Sequence, residues 1–257
     1  MTVKKRSSMF SPILVVVILA VVGGALLFMR EDPKAEVKDL KSLVQVNYGS
    51  KKYNESVANA NKGFELAQKN FGLKSKDTLY FAQAISEGYE ALGDKRNLVP
   101  ALVREIDLRL AAGETEQKLQ LKRTTAIKYA EEIGNKAIAS KQAVAIAKAI
   151  EMAPGKDPQP VYRTDTKYPP EQFSKGIEGD VEITYSLDAN GTVMDAKVTK
   201  QTTKAKPPTV FDAAALESFK TWRFTPMLED GKPVPSEGHK FTLMFRLGGQ
   251  SATMPKK

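Results

Sequence analysis

From Ser7 to Met29 the chain runs through 23 residues without a charge, most of them Ile, Leu, Val, Met or Phe. At about 1.5 Å per residue, a helix of that length crosses the ~30 Å hydrocarbon layer of a bilayer with some tilt. A cleavable export signal has a shorter apolar core ending at a small-x-small site. Here Gly23-Gly24-Ala25 leads straight into further apolar sequence, which predicts a retained anchor within residues 1–30. Lys4, Lys5 and Arg6 precede the run, and Arg30 is offset at once by Glu31 and Asp32. That charge bias predicts a cytoplasmic N-terminus, with residues 31–257 carried across a bacterial inner membrane into the periplasm. Ala20 and Gly24, small and four apart, have the spacing that lets membrane helices approach closely.

Beyond the apolar run the period changes. Residues 31–155 are rich in Ala, Leu, Lys and Glu, with Pro100 the only proline between Lys34 and Ala153. Gly49, Gly93 and Gly134 follow helical segments at spacings of 44 and 41 residues, and each precedes another helical stretch. Val57, Phe64 and Ala67 recur at helical spacing, then Tyr80, Ala84 and Tyr89 do so after a break, with Asp77 expected as the cap of the second helix. Two helices per ~40 residues predict a solenoid. Glu151–Lys167 holds Pro154, Gly155, Pro158 and Pro160 and reads as a linker, which if mostly extended could reach on the order of 50 Å.

Residues 156–257 then shift to a period of two. Val181, Ile183, Tyr185 and Leu187 alternate with polar residues, Asn190-Gly191 supplies turn chemistry, and Met194, Ala196 and Val198 give a return strand. Thr209 and Asp212 resemble a capping box before a helix whose Phe211, Ala215, Phe219 and Trp222 share one face. Asp230-Gly231 turns toward a last strand in which Phe241, Leu243, Phe245 and Leu247 alternate with Lys240, Thr242 and Arg246. The expected class is α+β and multidomain: a membrane helix, an all-α solenoid and a β-β-α-β sheet with one packed helix.

Composition narrows the chemistry. There is no cysteine and a single histidine, His239, which removes thiolate and His-rich metal sites and leaves one possible histidine base. No serine, lysine or aspartate stands at a spacing that would activate a nucleophile, so no catalytic, cofactor-binding or metal-ligating set is expected and the chain reads as a non-enzyme. The net charge of +9 is spread out: +4 lies in residues 1–30, +3 in residues 31–155, and residues 161–249 are neutral. Nucleic-acid binders concentrate such an excess on one module, which this chain does not.

Tyr53–Ala101 resembles a tetratricopeptide repeat of the longer kind, in Leu66-Ala67, the Phe71-Gly72 break and Tyr89-Glu90-Ala91-Leu92-Gly93-Asp94. The resemblance implies a protein partner of unknown identity on the repeats, beside the alternative of a helical stalk. The C-terminal residues resemble the TonB family of energy transducers more specifically. The matching pieces are Tyr168-Pro169, Gly176-Ile177-Glu178-Gly179-Asp180-Val181, Asn190-Gly191, Phe211-Asp212-Ala213-Ala214-Ala215-Leu216, Trp222-Arg223-Phe224-Thr225-Pro226 and Asp230-Gly231-Lys232-Pro233-Val234.

That resemblance implies a transducer that takes up the TonB box of an outer-membrane receptor as an extra strand. It implies coupling of the receptor to an ExbB/ExbD-type proton-driven complex for import of nutrients such as siderophores. The expected partner-binding residues are His239, Lys240, Phe241, Thr242, Leu243, Met244, Phe245, Arg246 and Leu247 on the last strand, with Tyr168, Pro169 and an exposed Arg223. The sequence departs from the family in its membrane helix, where Ser11 is followed four residues on by Val15 rather than histidine, and in lacking a long proline-rich linker. A non-energised, inner-membrane-anchored scaffold that binds envelope proteins through its repeats and its sheet is therefore the second reading.

Overall fold

The computed structural model describes residues 32–247. The membrane segment, with Ala20 and Gly24, lies outside them, and no helix among the described residues is long and apolar enough to cross a membrane.

Six helices come first: α1 Pro33–Gly49, α2 Tyr53–Phe71, α3 Lys76–Leu92, α4 Lys95–Ala111, α5 Glu116–Glu132 and α6 Lys136–Ala149. Each packs on the next, and α1 also touches α3. Four of the six start on a side-chain cap. Asp32 accepts from the Lys34 N–H with Pro33 at the first position, and Asp94 and Asn135 accept from the N–H groups of Asn97 and Ile138. The cap of α3 is Ser75, whose hydroxyl accepts from the Thr78 N–H, so the expected cap at Asp77 moves two residues upstream. Asp77 instead pairs with Lys41 of α1.

Buried ions tie the helices together. Glu105 of α4, fully buried, meets Arg109 at 2.8 Å, Lys122 of α5 at 2.9 Å and the Ser86 hydroxyl of α3 at 2.7 Å. Arg123 of α5 is held by both oxygens of Glu116 and reaches Gln142 of α6. With every charge compensated, these groups specify neighbours more than they add stability.

The C-terminal region contains β1 Pro160–Tyr162, α7 Pro170–Ser174, β2 Gly179–Leu187, β3 Val193–Thr203, α8 Asp212–Phe219, β4 Arg223–Phe224, β5 Met227–Glu229, β6 Lys232–Val234 and β7 Ser236–Phe245. The main sheet is antiparallel in the order β3-β2-β7. Central β2 buries Val181, Ile183, Tyr185 and Leu187, as the alternation predicts. Phe211, Ala215, Phe219 and Trp222 are all buried against that sheet. A 3₁₀ turn, Pro208–Phe211, precedes α8, which has no side-chain cap, so the Thr209–Asp212 capping box does not form. Asp212 accepts instead from Gln201 of β3.

The largest correction concerns the expected linker. Residues 159–166 are sewn to the sheet domain: β1 pairs with β4, Gln159 and Thr225 exchange hydrogen bonds, and the Trp222 indole N–H donates to the Thr164 carbonyl at 3.2 Å. Val161 and Tyr162 also pack on a helical cluster containing Ile127, Ala130 and Ile146. Met227 and Leu228 of β5 pack with Ala147 and Met152. The helical array and the sheet domain are thus joined through a shared apolar seam, with no extended 50 Å tether between them.

Candidate functional site: the open edge of the C-terminal sheet

From Gly179↔Phe245 to Tyr185↔His239, β7 pairs with β2 through seven consecutive positions without a break in register. A one-residue bulge follows, between Tyr185↔His239 and Leu187↔Ser236, and Gly238 takes φ +75° within it. Among the described residues β2 is the only strand paired with β7. The opposite edge of the sheet, on β3, is interrupted by two register shifts, with Asp195 at φ +48°. Of the two edges, β7 therefore presents the longer regular backbone. Regular, flat backbone is what an incoming strand needs, because its bonds run to every second residue.

Side chains on β7 alternate as expected up to Phe245: Phe241, Leu243 and Phe245 are buried, Thr242 and Met244 are half-buried and Lys240 is exposed. Lys240 lies 3.7 Å from Glu182 across β2, an exposed pair of small energetic weight. The strand stops before the last two expected members. Arg246 lies beyond its end, donating to the Gly179 carbonyl at 3.0 Å and pairing with Asp180 at 2.5 Å. Leu247 is exposed, its N–H bonded to Glu178. The continuation fails because Arg246 turns back to close the end of the sheet.

His239, expected at a solvated strand end, is half-buried. Its Nε2 meets the Ser236 hydroxyl at 2.7 Å and its ring lies 5.5 Å from that of Tyr185. Burial holds its pKa below the ordinary 6.5, opposed by the nearby Asp157 carboxylate. The unfolded chain therefore binds the proton more readily, and the stability that neutral His239 contributes is present above pH about 6.5 and lost as pH falls below it. Urea midpoints measured at descending pH should decline from that point, and His239→Gln should flatten this part of the decline. An unchanged slope would show that the imidazole titrates as in the unfolded chain.

Tyr168 donates its hydroxyl to the Ile177 carbonyl at 2.6 Å and meets Phe173, Phe211 and Phe245 edge-on at 5.6–5.7 Å. Burial raises its phenol pKa, with Glu178 adding to the effect. Pro169 caps α7 in an extended conformation. The pair fixes the entry to the domain at the Phe245 end of β7.

Arg223 departs most from expectation. It is 2% exposed, not a surface contact. Its guanidinium pairs with Glu131 of α5 and donates to the Asn190 carbonyl at 2.7 Å and the Ser140 hydroxyl of α6 at 3.2 Å. It therefore clamps the helical array to the β2–β3 turn. Sequence reasoning missed Glu131 and Ser140, since nothing local marks residues 92 and 83 positions away as partners.

The family model for the Gram-negative bacterial TonB protein C-terminal matches residues 164–247, the segment that builds this sheet. Protein TonB of Vibrio cholerae is 34% identical over 83 residues, 32% of this chain and 32% of that protein. Protein TonB of Yersinia enterocolitica is 25% identical over 92 residues, 36% of this chain and 32% of the relative. This chain thus spans about a third of the length of the curated relatives it matches. The solution structure of the Pseudomonas aeruginosa TonB C-terminal domain matches at 24% identity and a TM-score of 0.30, over 37% of this chain and 92% of that one. Residues 164–247, with their three-stranded sheet, are thus similar to the Gram-negative bacterial TonB protein C-terminal family.

Proposed function

We propose that the protein is a TonB-like transducer, held in the inner membrane by residues 7–29, whose β7 takes up a receptor's TonB box as an added strand. In this reading the helical array carries the sheet domain across part of the periplasm. An ExbB/ExbD-type proton-driven complex supplies the work, and an outer-membrane receptor uses it to import a scarce nutrient such as a siderophore. The observation that carries the reading is the regular run of β7 from His239 to Phe245 at the border of the sheet. Strand addition draws affinity from backbone hydrogen bonds and asks little of side chains, which suits one transducer serving several receptors.

The test leaves the protein intact and alters the peptide. Full-length chain in detergent micelles is presented with receptor N-terminal peptides, each N-methylated at one backbone position in turn. In an added strand only every second N–H points at β7. Methylation in that phase should weaken capture about tenfold or more, while the other phase stays near the parent peptide. Equal effects in both phases, or no capture of any peptide, would dismiss strand addition.

A further inference from the structure

The C-terminal end of β7 is bordered by a small apolar surface that the backbone reading leaves unused. Helix α8 packs on β2 and β3, and its Phe219 also meets Phe241 of β7 at 5.5 Å. The inner face of β7 is further roofed by Trp222, 5.3 Å from Phe241, and at its C-terminal end by Phe211 and Tyr168, 4.4 Å and 5.6 Å from Phe245. Phe173 of α7 stands edge-on to Tyr168 at 5.7 Å and is 60% exposed. Leu247, 39% exposed, approaches the same turn at Gly176. A single exposed apolar residue is ordinary, but two beside a half-buried tyrosine at the end of a strand edge form a patch.

Strand addition would give this patch an occupant. A strand laid along β7 sits about 4.8 Å away, and its side chains alternate between the two faces of the sheet. The residue opposite Phe245 points to the inner face, toward the wall made by Tyr168 and Phe173. The residues on either side of it point to the outer face, beside the half-buried Met244 and Arg246.

We propose that Phe173, with Tyr168 and Leu247, forms a side-chain seat that selects a large apolar residue at the position of the added strand opposite Phe245. This inference rests on the strand-addition reading. It goes further in naming the ligand class: an extended peptide with Leu, Ile, Val or Phe at one fixed place and free choice on the outer face. Phe173 acts here as a specificity residue, while the backbone of β7 supplies the common affinity.

The absence of cysteine from the chain allows the register to be fixed chemically. Lys240→Cys on the exposed face of full-length chain is equilibrated, in a thiol-buffered solution, with short cysteine-bearing peptides. These carry either Leu or Ser five residues from the cysteine, placed on its N-terminal side for antiparallel addition and on its C-terminal side for parallel addition. The fraction tethered reports non-covalent affinity. In one of the two directions the Leu peptide should tether about tenfold better than the Ser peptide, from burial of the larger apolar side chain. Adding Phe173→Ser should bring that ratio close to one while tethering itself persists, and unchanged Trp222 fluorescence verifies that the sheet is intact. Tethering with equal Leu and Ser ratios, or a preference indifferent to Phe173→Ser, overturns the seat and leaves strand addition standing. No tethering above a proline-containing control in either direction overturns both.

Discussion

Arg223→Met will separate the unfolding of the two halves of the molecule. Arg223 and Glu131 are 3% and 4% exposed at their side chains, so each depends on the other for its charge to be tolerated. Removing one member of such a pair costs about 3–5 kcal/mol, because the charge left behind is buried without compensation. Lys136 also contacts Glu131, and at 68% side-chain exposure it offers partial relief, which places the cost near the lower end of that range. The change also removes the donor from the Asn190 carbonyl at the β2–β3 turn. Trp222, the only tryptophan, reports the sheet domain, while far-ultraviolet circular dichroism is dominated by α1–α6. In the parent protein the two urea transitions should coincide. In Arg223→Met the tryptophan transition should move to lower urea and part from the helical one. Adding Glu131→Gln should recover part of the loss, since no buried charge is then left unpaired. Coincident transitions in the single variant would mean that the apolar seam around Val161, Tyr162, Met227 and Leu228 suffices to couple the halves.

The hydrophobic pattern predicts much of this architecture correctly. Strand β2 is legible because its inner face is almost perfectly apolar and its register therefore has one solution. The Phe211–Trp222 face is legible for the same reason. Strand β7 is legible from its alternation up to Phe245, but alternation cannot announce that Arg246 will turn to Asp180. Strand β1 is illegible: three residues, Pro160–Tyr162, carry no period, and their pairing with β4 is set by a hydrogen-bond exchange between Gln159 and Thr225 across 66 positions. The clamp is hidden for a related reason. An arginine in a Trp-Arg-Phe run looks the same whether it faces solvent or a glutamate on another element. The seat at Phe173 escapes notice because an apolar residue in a five-residue helix reads as one more core position.

Gly191→Ala is expected to unfold the sheet domain outright, and the contrast with Gly231 shows why. Both glycines occupy the left-handed region, at φ +77° and +72°, so a side chain at either carries a backbone cost of about 1–2 kcal/mol. A methyl group on Gly231 would meet nothing within 4 Å, whereas on Gly191 it would lie 1.9 Å from the Phe224 carbonyl oxygen. That oxygen cannot step aside. The Phe224 N–H donates to the Gly191 carbonyl at 2.8 Å, and Phe224 is fully buried against Tyr185 and Phe219. Nor can the turn, since Asp188 Oδ1 accepts from the N–H groups of both Asn190 and Thr192 at 2.8 Å. Relief would require breaking these bonds and drawing Asn190 away from Arg223 as well. The loss should exceed about 4 kcal/mol, in the range reached only when backbone and core are disrupted together. Gly231→Ala should stay within about 1–2 kcal/mol of the parent. Trp222 fluorescence should therefore be unfolded-like without denaturant in the first variant and native in the second. A folded Gly191→Ala protein would mean that the Trp-Arg-Phe strand can shift relative to the turn, and with it the clamp that joins the array to the sheet.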